Sequence, residues 1–240
     1  YKKPKSSGAS AYVGLLEQGF HVEGTGMRNR VTYLIGARNR SNRNLLSSQE
    51  IKGHYVPTSS DIQGLFTFCL SPKWHFALLG IISGTRFSLI PEEAKMTSSV
   101  LSPLFTQNLG LDIFFDGREK DSYQTNMLGL SVIQQVNEKL KLKWMLSRFQ
   151  DDEKELFDIT GAYLFGERSF DKTQSDFGSI INPLGAGVFI HHARNRLSIE
   201  NISVAQKGEW SYRKHFVQWG VQLEKTRIND RLNEWELQDS

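Results

Sequence analysis

The sequence predicts an all-β protein whose long antiparallel strands form a membrane-spanning β-barrel. Three observations predict this fold class. Apolar and polar residues alternate with a period of two, short connections alternate with long ones along the chain, and tryptophans lie close to the short connections. Period two is the repeat of a β-strand with two different faces, and alternating short and long connections are typical of outer-membrane barrels.

Composition limits how this chain could cross a membrane. Hydrophobic residues make up 39% of the 240 residues, and the mean hydropathy is -0.40. The most apolar stretch, 76–82, is far shorter than the roughly 18 to 20 apolar residues that a spanning helix needs. In hydrocarbon, only a helix or a closed sheet pairs all of its backbone polar groups. If the chain spans a membrane, it therefore does so as a barrel.

Charge and cysteine content exclude two further classes of protein. The 29 basic and 26 acidic residues are interspersed and give a net charge of +3, so a nucleic-acid partner is not expected. The single cysteine, Cys69, excludes an internal disulfide framework. The chain begins at Tyr1 without a signal peptide or an initiating methionine, so we interpret it as an excerpt of a longer chain or as a mature chain that has been cut.

The strands are predicted from four hairpins. In residues 62–70 and 74–82, successive side chains alternate between a more apolar and a more polar face. Between these segments lies Ser71-Pro72-Lys73, where the proline marks a turn because it cannot donate to a ladder. Further hairpins are predicted from 125–132 to 140–147, from a turn near 212 into the strand 216–224, and from Ala11 through a turn near 24–26 to 31–37. The stretch 191–206 is predicted as a strand whose apolar face changes phase at a bend or bulge.

The lengths of the connections favour a barrel over a sandwich. Several strands have about 12 residues or more, which is enough to cross a bilayer, whereas sandwich strands have about 5 to 6. The short connections fall near residues 25, 72, 137 and 212, and the long polar stretches are 41–60, 89–108 and 161–184.

Four tryptophans lie within about half a dozen residues of a short turn. That depth is where an aromatic girdle lies at the membrane interface of a barrel. The alternative is that they are ordinary core residues. The predicted girdle comprises Trp74, Trp144, Trp210 and Trp219.

Several segments resemble those of a known family in their order and spacing. The opening Tyr1–Pro4 resembles the junction between plug and barrel in TonB-dependent outer-membrane receptors of the Bacteroidota type, which carry a carboxypeptidase-regulatory-like domain before the plug. Nearly the whole chain resembles the N-terminal part of that barrel. The matching segments are 8–10, 21–24, 30–38, 61–63, 87–91, 114–119, 192–195, 218–220 and 232–235.

The resemblance implies a 22-stranded barrel of which residues 1–240 supply about eight long strands, without the plug and the closing strands. It implies location in the outer membrane and energised import of a nutrient, namely a glycan, a peptide or a metal chelate. The implied partners are outer-membrane lipid, the plug domain of the same protein, the TonB complex through an N-terminal region outside this chain, and a surface lipoprotein.

Two alternatives to transport stay open. One is a receptor-like barrel that serves as a structural subunit of an outer-membrane assembly or secretion complex. The other is a soluble β-sandwich that binds a ligand. An upstream TonB box and an intact plug would favour transport, and solubility without detergent would favour the sandwich.

Candidate site residues are few, and no enzyme activity is predicted. Polar residues opposite the apolar faces are candidates for lining the barrel lumen. No Gly-x-Ser-x-Gly motif is present. The lumen candidates are Arg38, Lys141, Lys143, Gln218, Gln222 and Glu224.

Neither a metal site nor a cofactor is predicted. Residues His191 and His192, even with His215 or His54, are poor ligands for one ion because adjacent side chains on a strand point to opposite faces. The acidic run 151–158 lacks the glycine and the carboxylate spacing of a calcium-binding loop, so we interpret it as a solvated extension of a strand.

Overall fold

The computed structural model of the chain describes residue 4 and the ranges 6–41, 54–55, 57–101 and 106–239. These residues form an all-β fold in which twelve strands join one antiparallel sheet. Among them, no helix is long and apolar enough to cross a membrane. The strands are β1 (Gly8–Val13), β2 (Glu17–Gly26), β3 (Val31–Ser41), β4 (His54–Tyr55), β5 (Thr58–Ser71), β6 (Trp74–Ile90), β7 (Ala94–Leu101), β8 (Thr106–Gln135), β9 (Leu140–Arg168), β10 (Ile180–Tyr212), β11 (His215–Arg231) and β12 (Glu234–Asp239).

The strands follow one another in the sheet in the order β1-β2-β3-β5-β6-β8-β9-β10-β11, while β4 pairs with β6, β7 with β8 and β12 with β10. Eight of them have ten or more residues. The sheet is not closed in the described part of the chain, because β1 pairs only with β2 and β11 only with β10.

The predicted short connections are confirmed. They lie at 27–30, 72–73, 136–139 and 213–214. The predicted hairpin from Ala11 was wrong in one respect, because the chain also reverses between β1 and β2. There the amide of Gly14 donates to the carbonyl of Glu17 at 2.8 Å, and the Tyr12 hydroxyl donates to the Glu17 carboxylate at 2.6 Å.

Two of the predicted long irregular stretches were also wrong. The stretch 89–108 contains β7, and 161–184 contains the end of β9 and the start of β10, so that only residues 169–179 connect these two strands. Here β8, β9 and β10 continue far beyond the end of β6, and their glycine-containing sequence, which mixes polar and apolar residues on both faces, hides the period of two. Most of the third stretch, residues 42–53 with 56, lies outside the described residues.

The described strands form a single layer without a hydrophobic core. The chain exposes 17,121 Å², whereas a compact protein of 27.4 kDa exposes about 11,000 Å². Among the described residues, no large side chain is fully buried. The buried hydrophobic residues are Ala94, Ile159, Ala193 and Ala205.

Exposure alternates along the strands, and the apolar residues occupy the more exposed face. On β6, Leu78 and Ile82 are 40% and 59% exposed, while the intervening Leu79 and Ile81 are half-buried. On β9, Trp144 and Leu146 are exposed and Lys143 and Met145 are half-buried. This is the reverse of a sheet in a soluble protein, which turns its apolar face towards a core.

Gly117 in β8 has a conformation that other residues rarely adopt. Its φ is +101°, and a Cβ at this position would lie 1.9 Å from the carbonyl oxygen of Asp158 on β9. We expect Gly117→Ala to lower the free energy of unfolding by about 1–3 kcal/mol from the backbone conformation alone, with the steric contact adding to that loss.

A urea titration of the intact protein measures this effect. The control is Gly84→Ala on β6, where an added Cβ would meet no atom within 4 Å and should change stability by less than about 0.5 kcal/mol. Equal stability of the two variants would contradict the close approach of β8 and β9 at Gly117.

Candidate functional site

A row of apolar side chains crosses the sheet on its exposed face. Register places these residues directly opposite one another on successive strands, from β3 to β11. We call this row, with the apolar pairs next to it on the same face, the apolar belt. The row consists of Tyr33, Phe66, Leu78, Leu130, Leu146, Val204 and Leu223.

The height of the apolar belt matches that of a membrane interior. On β6 its residues extend from Trp74 to Ile82, a length of about 26 Å at the rise of a β-strand. The belt ends sharply at charged residues. On the same face of β9 and β10, Arg148 and Glu200 form an ion pair at 2.7 Å, and Lys225 on β11 follows Leu223. An outward apolar band about 25 Å tall is typical of membrane barrels.

The four tryptophans of the predicted girdle lie on the belt face, close to the short turns. Register places Trp144 opposite Val132 and Trp210 opposite Val217. The ring of Trp219 covers Gly208, where a Cβ would lie 2.0 Å from the indole. The ring of Trp74 stacks on Phe76 with centroids 6.3 Å apart. Whether these rings lie at a membrane interface stays a prediction.

The six lumen candidates share the opposite face of the sheet, which we call the polar face. Arg38 donates to Asp61 at 2.8 Å, and Lys141 donates to Glu209 at 3.1 Å. Gln222 donates to Ser203 at 3.2 Å and to the adjacent candidate Glu224 at 2.6 Å. Of the other two candidates, Lys143 lies opposite Lys207 and Gln218 donates to Glu209. Five of the six candidates therefore lie on β9 and β11, whereas Arg38 lies on β3. Their role in lining a lumen stays a prediction.

The sheet curls around a trough of about 1490 Å³ that is lined by residues of β3, β5, β6 and β8 to β11. Most of the lining side chains are polar or charged. Nearer the short turns, a smaller cavity of about 320 Å³ lies against the polar face, beside Cys69, His75 and Lys141. The trough is therefore suited to water and polar solutes, whereas the smaller cavity is also lined by apolar residues such as Phe76 and Ile133.

Beyond the belt, Asp158 on β9 lies at the centre of a charged cluster. Arg194 on β10 donates from Nη2 to both carboxylate oxygens at 2.7 and 2.6 Å. The imidazole of His192 also contacts Asp158 and stacks on Trp235 with centroids 4.2 Å apart. Hydrogen bonds from Arg194, together with the contact to His192, lower the pKa of Asp158 below its ordinary value.

This lowered pKa predicts a small loss of stability in acid. A depressed carboxyl pKa contributes stability that is fully present above the ordinary value of 3.8 and is lost as the pH falls through the lower folded value. Because the ion pair is half exposed, we expect at most about 1 kcal/mol. Unfolding titrations between pH 7 and pH 2 measure it. In Asp158→Asn this component should be absent, and an unchanged pH profile in that variant would contradict the assignment.

The histidines do not come together as a set of ligands. His192 contacts Asp158 on the belt face, whereas His191 packs against Phe157 on the polar face, with ring centroids 4.6 Å apart. His215 is the first residue of β11. The side chain of His54 lies outside the described residues.

Sequence reasoning missed a group of three carboxylates on the polar face. Glu119 and Asp121 on β8 and Glu155 on β9 each place an oxygen within 4.8 Å of the others. Along the chain alone, the acidic run does not indicate this group, because neighbouring residues on a strand point to opposite faces. The pairing of β8 with β9, which places Asp121 opposite Glu155, could have revealed the group.

Comparison with protein-family models, curated proteins and solved structures found no match to this chain. The resemblance to TonB-dependent receptors therefore stays a prediction that rests on the segments quoted above. The observed fold is an open antiparallel sheet with one apolar and one polar face.

Proposed function

We propose that this chain is part of the β-barrel of a TonB-dependent transporter in a bacterial outer membrane, which imports a glycan, a peptide or a metal chelate. The observation that carries this proposal is the apolar belt on the exposed face of a single-layer sheet. The proposed mechanism is capture of the nutrient by residues above the belt, followed by passage through the polar interior when the plug moves.

Lipid explains the belt better than water does. A sheet in a soluble protein covers its apolar face with a second layer of secondary structure, and no strand of the described chain packs on the belt. Belt residues such as Leu146, Val204 and Leu223 are 49%, 49% and 71% exposed. Each fully exposed apolar side chain of this size forgoes about 1.5–3 kcal/mol of burial energy. A lipid environment removes this penalty along the whole row.

The two edges of the sheet support the same proposal. All residues of β1 and β11 are exposed, and their outer backbone groups pair with no described strand. Unpaired backbone groups are not tolerated in hydrocarbon, and an exposed edge strand invites aggregation. In a barrel, further strands would pair with both edges.

The polar face favours passage of a polar solute, and the resemblance to TonB-dependent receptors favours energised import. The test compares wild-type bacteria, a deletion strain and a strain without TonB, each grown on single glycans, peptides or metal chelates. We expect the protein in the outer-membrane fraction, resistant to carbonate extraction, and the same growth defect in both mutants on at least one nutrient.

Two results would overturn this proposal. Recovery of the intact protein in the soluble fraction would exclude the membrane barrel. Outer-membrane location with normal growth on every nutrient, combined with loss of another surface protein, would instead support a structural subunit of an assembly or secretion complex.

A further inference from the structure

Three carboxylates meet on the polar face, well beyond the apolar belt. Asp121 on β8 lies directly opposite Glu155 on β9, and Glu119 lies next to Asp121 on the same face. One oxygen from each side chain lies within 4.8 Å of the other two. Asp121 is seven residues from Leu128 of the belt face, or about 23 Å along the strand. The group is therefore outside the proposed membrane span.

Asp121 is buried without enough partners for its charge. The residue is only 8% exposed. Its Oδ1 atom is shielded from solvent and has no hydrogen-bond partner. A buried carboxylate oxygen without a donor is strongly unfavourable. Because Asp121 belongs to the three-carboxylate group, a cation held between these side chains would supply a partner for its charge.

The surroundings do not supply a compensating side-chain cation. Burial and the charge of Glu155 raise the pKa of Asp121, and burial and Asp121 raise the pKa of Glu119. Among the described groups that shift these two pKa values, none is a lysine or an arginine. Register places Phe87 opposite Asp121 and Phe157 opposite Glu119. Apart from a hydrogen bond between Glu119 and Asp121, for which one of the two carboxyl groups must carry a proton, the three groups repel one another beside apolar neighbours.

We propose that Glu119, Asp121 and Glu155 bind a calcium ion. Three carboxylates offer up to six oxygens, and calcium takes six to eight oxygen ligands in flexible geometry, whereas magnesium requires near-ideal octahedral geometry. The group contains no histidine or cysteine, which disfavours zinc and copper.

Glu155 is also held in position by a neighbouring strand. The amide nitrogen of Asn195 on β10 donates to Glu155 Oε2 at 2.8 Å, and the same amide contacts Glu234 on β12. A bound ion would therefore tie together β8 and β9, and through Asn195 it would couple to β12. This inference does not depend on the proposed transport activity, because it rests only on the carboxylate geometry.

Equilibrium dialysis with radioactive calcium tests the proposal. The intact protein is first stripped with a chelator and then titrated with calcium from micromolar to millimolar concentrations. We expect saturable binding in this range. In Asp121→Asn, this calcium site should be lost, or its affinity for calcium should fall at least about tenfold. Glu119→Gln, at a half-buried position, should reproduce the loss if Asp121→Asn fails to fold.

Asp116→Asn is the matched control. It removes a carboxylate from the same strand on the opposite face and keeps an acceptor for the amide of Gly117, which donates to Asp116 at 2.8 Å. This variant should bind calcium like the wild type. Equal calcium binding by wild type, Asp121→Asn and Glu119→Gln would overturn the proposal, as would displacement of calcium by an equal concentration of magnesium.

Discussion

Arginine in place of Val221 should weaken membrane insertion by about 2–4 kcal/mol, whereas lysine in place of Gln222 should have little effect. Val221 is 62% exposed on the belt face. Register places it opposite Gln206, and the next pair on the same face is Leu223 with Val204. If lipid covers this face, a guanidinium there loses its hydration without gaining a partner. Gln222 lies on the polar face and donates to Ser203 and Glu224, where an ammonium group keeps water and gains a carboxylate neighbour.

Folding of the intact protein into lipid vesicles, followed by urea titration, measures this difference. Trp219→Arg provides a second belt position and should behave like Val221→Arg, with a smaller loss if the ring lies nearer the membrane interface. Equal tolerance of charge at 221 and 222 would contradict the assignment of the two faces.

Methionine in place of Arg168 should destabilise the far end of the β8–β9 hairpin by about 3–5 kcal/mol, because it leaves a buried charge unpaired. Arg168 at the end of β9 pairs with Asp112 on β8, with side chains only 5% and 9% exposed. Its Nη1 also donates to the carbonyl of Gly178 at 2.7 Å. The same guanidinium packs against Gly110, where a Cβ would lie 2.4 Å from Nε.

A double-mutant cycle separates the ion pair from simple packing. Replacing both partners, as in Arg168→Met with Asp112→Leu, should recover most of the lost stability, because the remaining side chains are apolar and carry no unpaired charge. Hydrogen exchange of the β8 and β9 amides measures stability at this end of the sheet. Additive losses in the double variant would show that the two side chains act independently.

The strands that could be predicted from the sequence are those whose two faces differ in polarity. In strands β5 and β6, on either side of Pro72, one face is more apolar than the other, because the two faces meet different environments. The same holds for β11, where Val217, Trp219, Val221 and Leu223 alternate with polar residues. Turn chemistry and period two therefore placed the hairpins without any knowledge of long-range pairing.

Beyond the belt, this information is lost because the two faces no longer differ clearly in polarity. The ends of β8, β9 and β10 mix small, polar and apolar residues on both faces, so their sequence shows no clear period of two although the strands are paired, with register shifts on either side of Pro183. Strand β7 was missed for the same reason. The reversal at Gly14 was missed because the three-residue connection carries Leu15 and Leu16, which do not interrupt an apolar pattern.

The candidate sites also differ in whether the sequence could predict them. The lumen candidates Gln218, Gln222 and Glu224 follow from alternation along one strand, so their common face was predictable. The group formed by Glu119, Asp121 and Glu155 depends on the register between two strands, which a single sequence does not specify in a polar region.

A scan of β11 for contact with lipid or water tests the central claim most directly. Residues 217–224 are replaced one at a time by cysteine, in a background where Cys69 and any other cysteine are serine, and each variant carries a spin label in lipid vesicles. We predict that oxygen dissolved in lipid reaches labels at the odd positions, while a water-soluble nickel reagent reaches those at the even positions. If water reached both sets equally, or if protein shielded the odd set, the apolar belt would not face lipid.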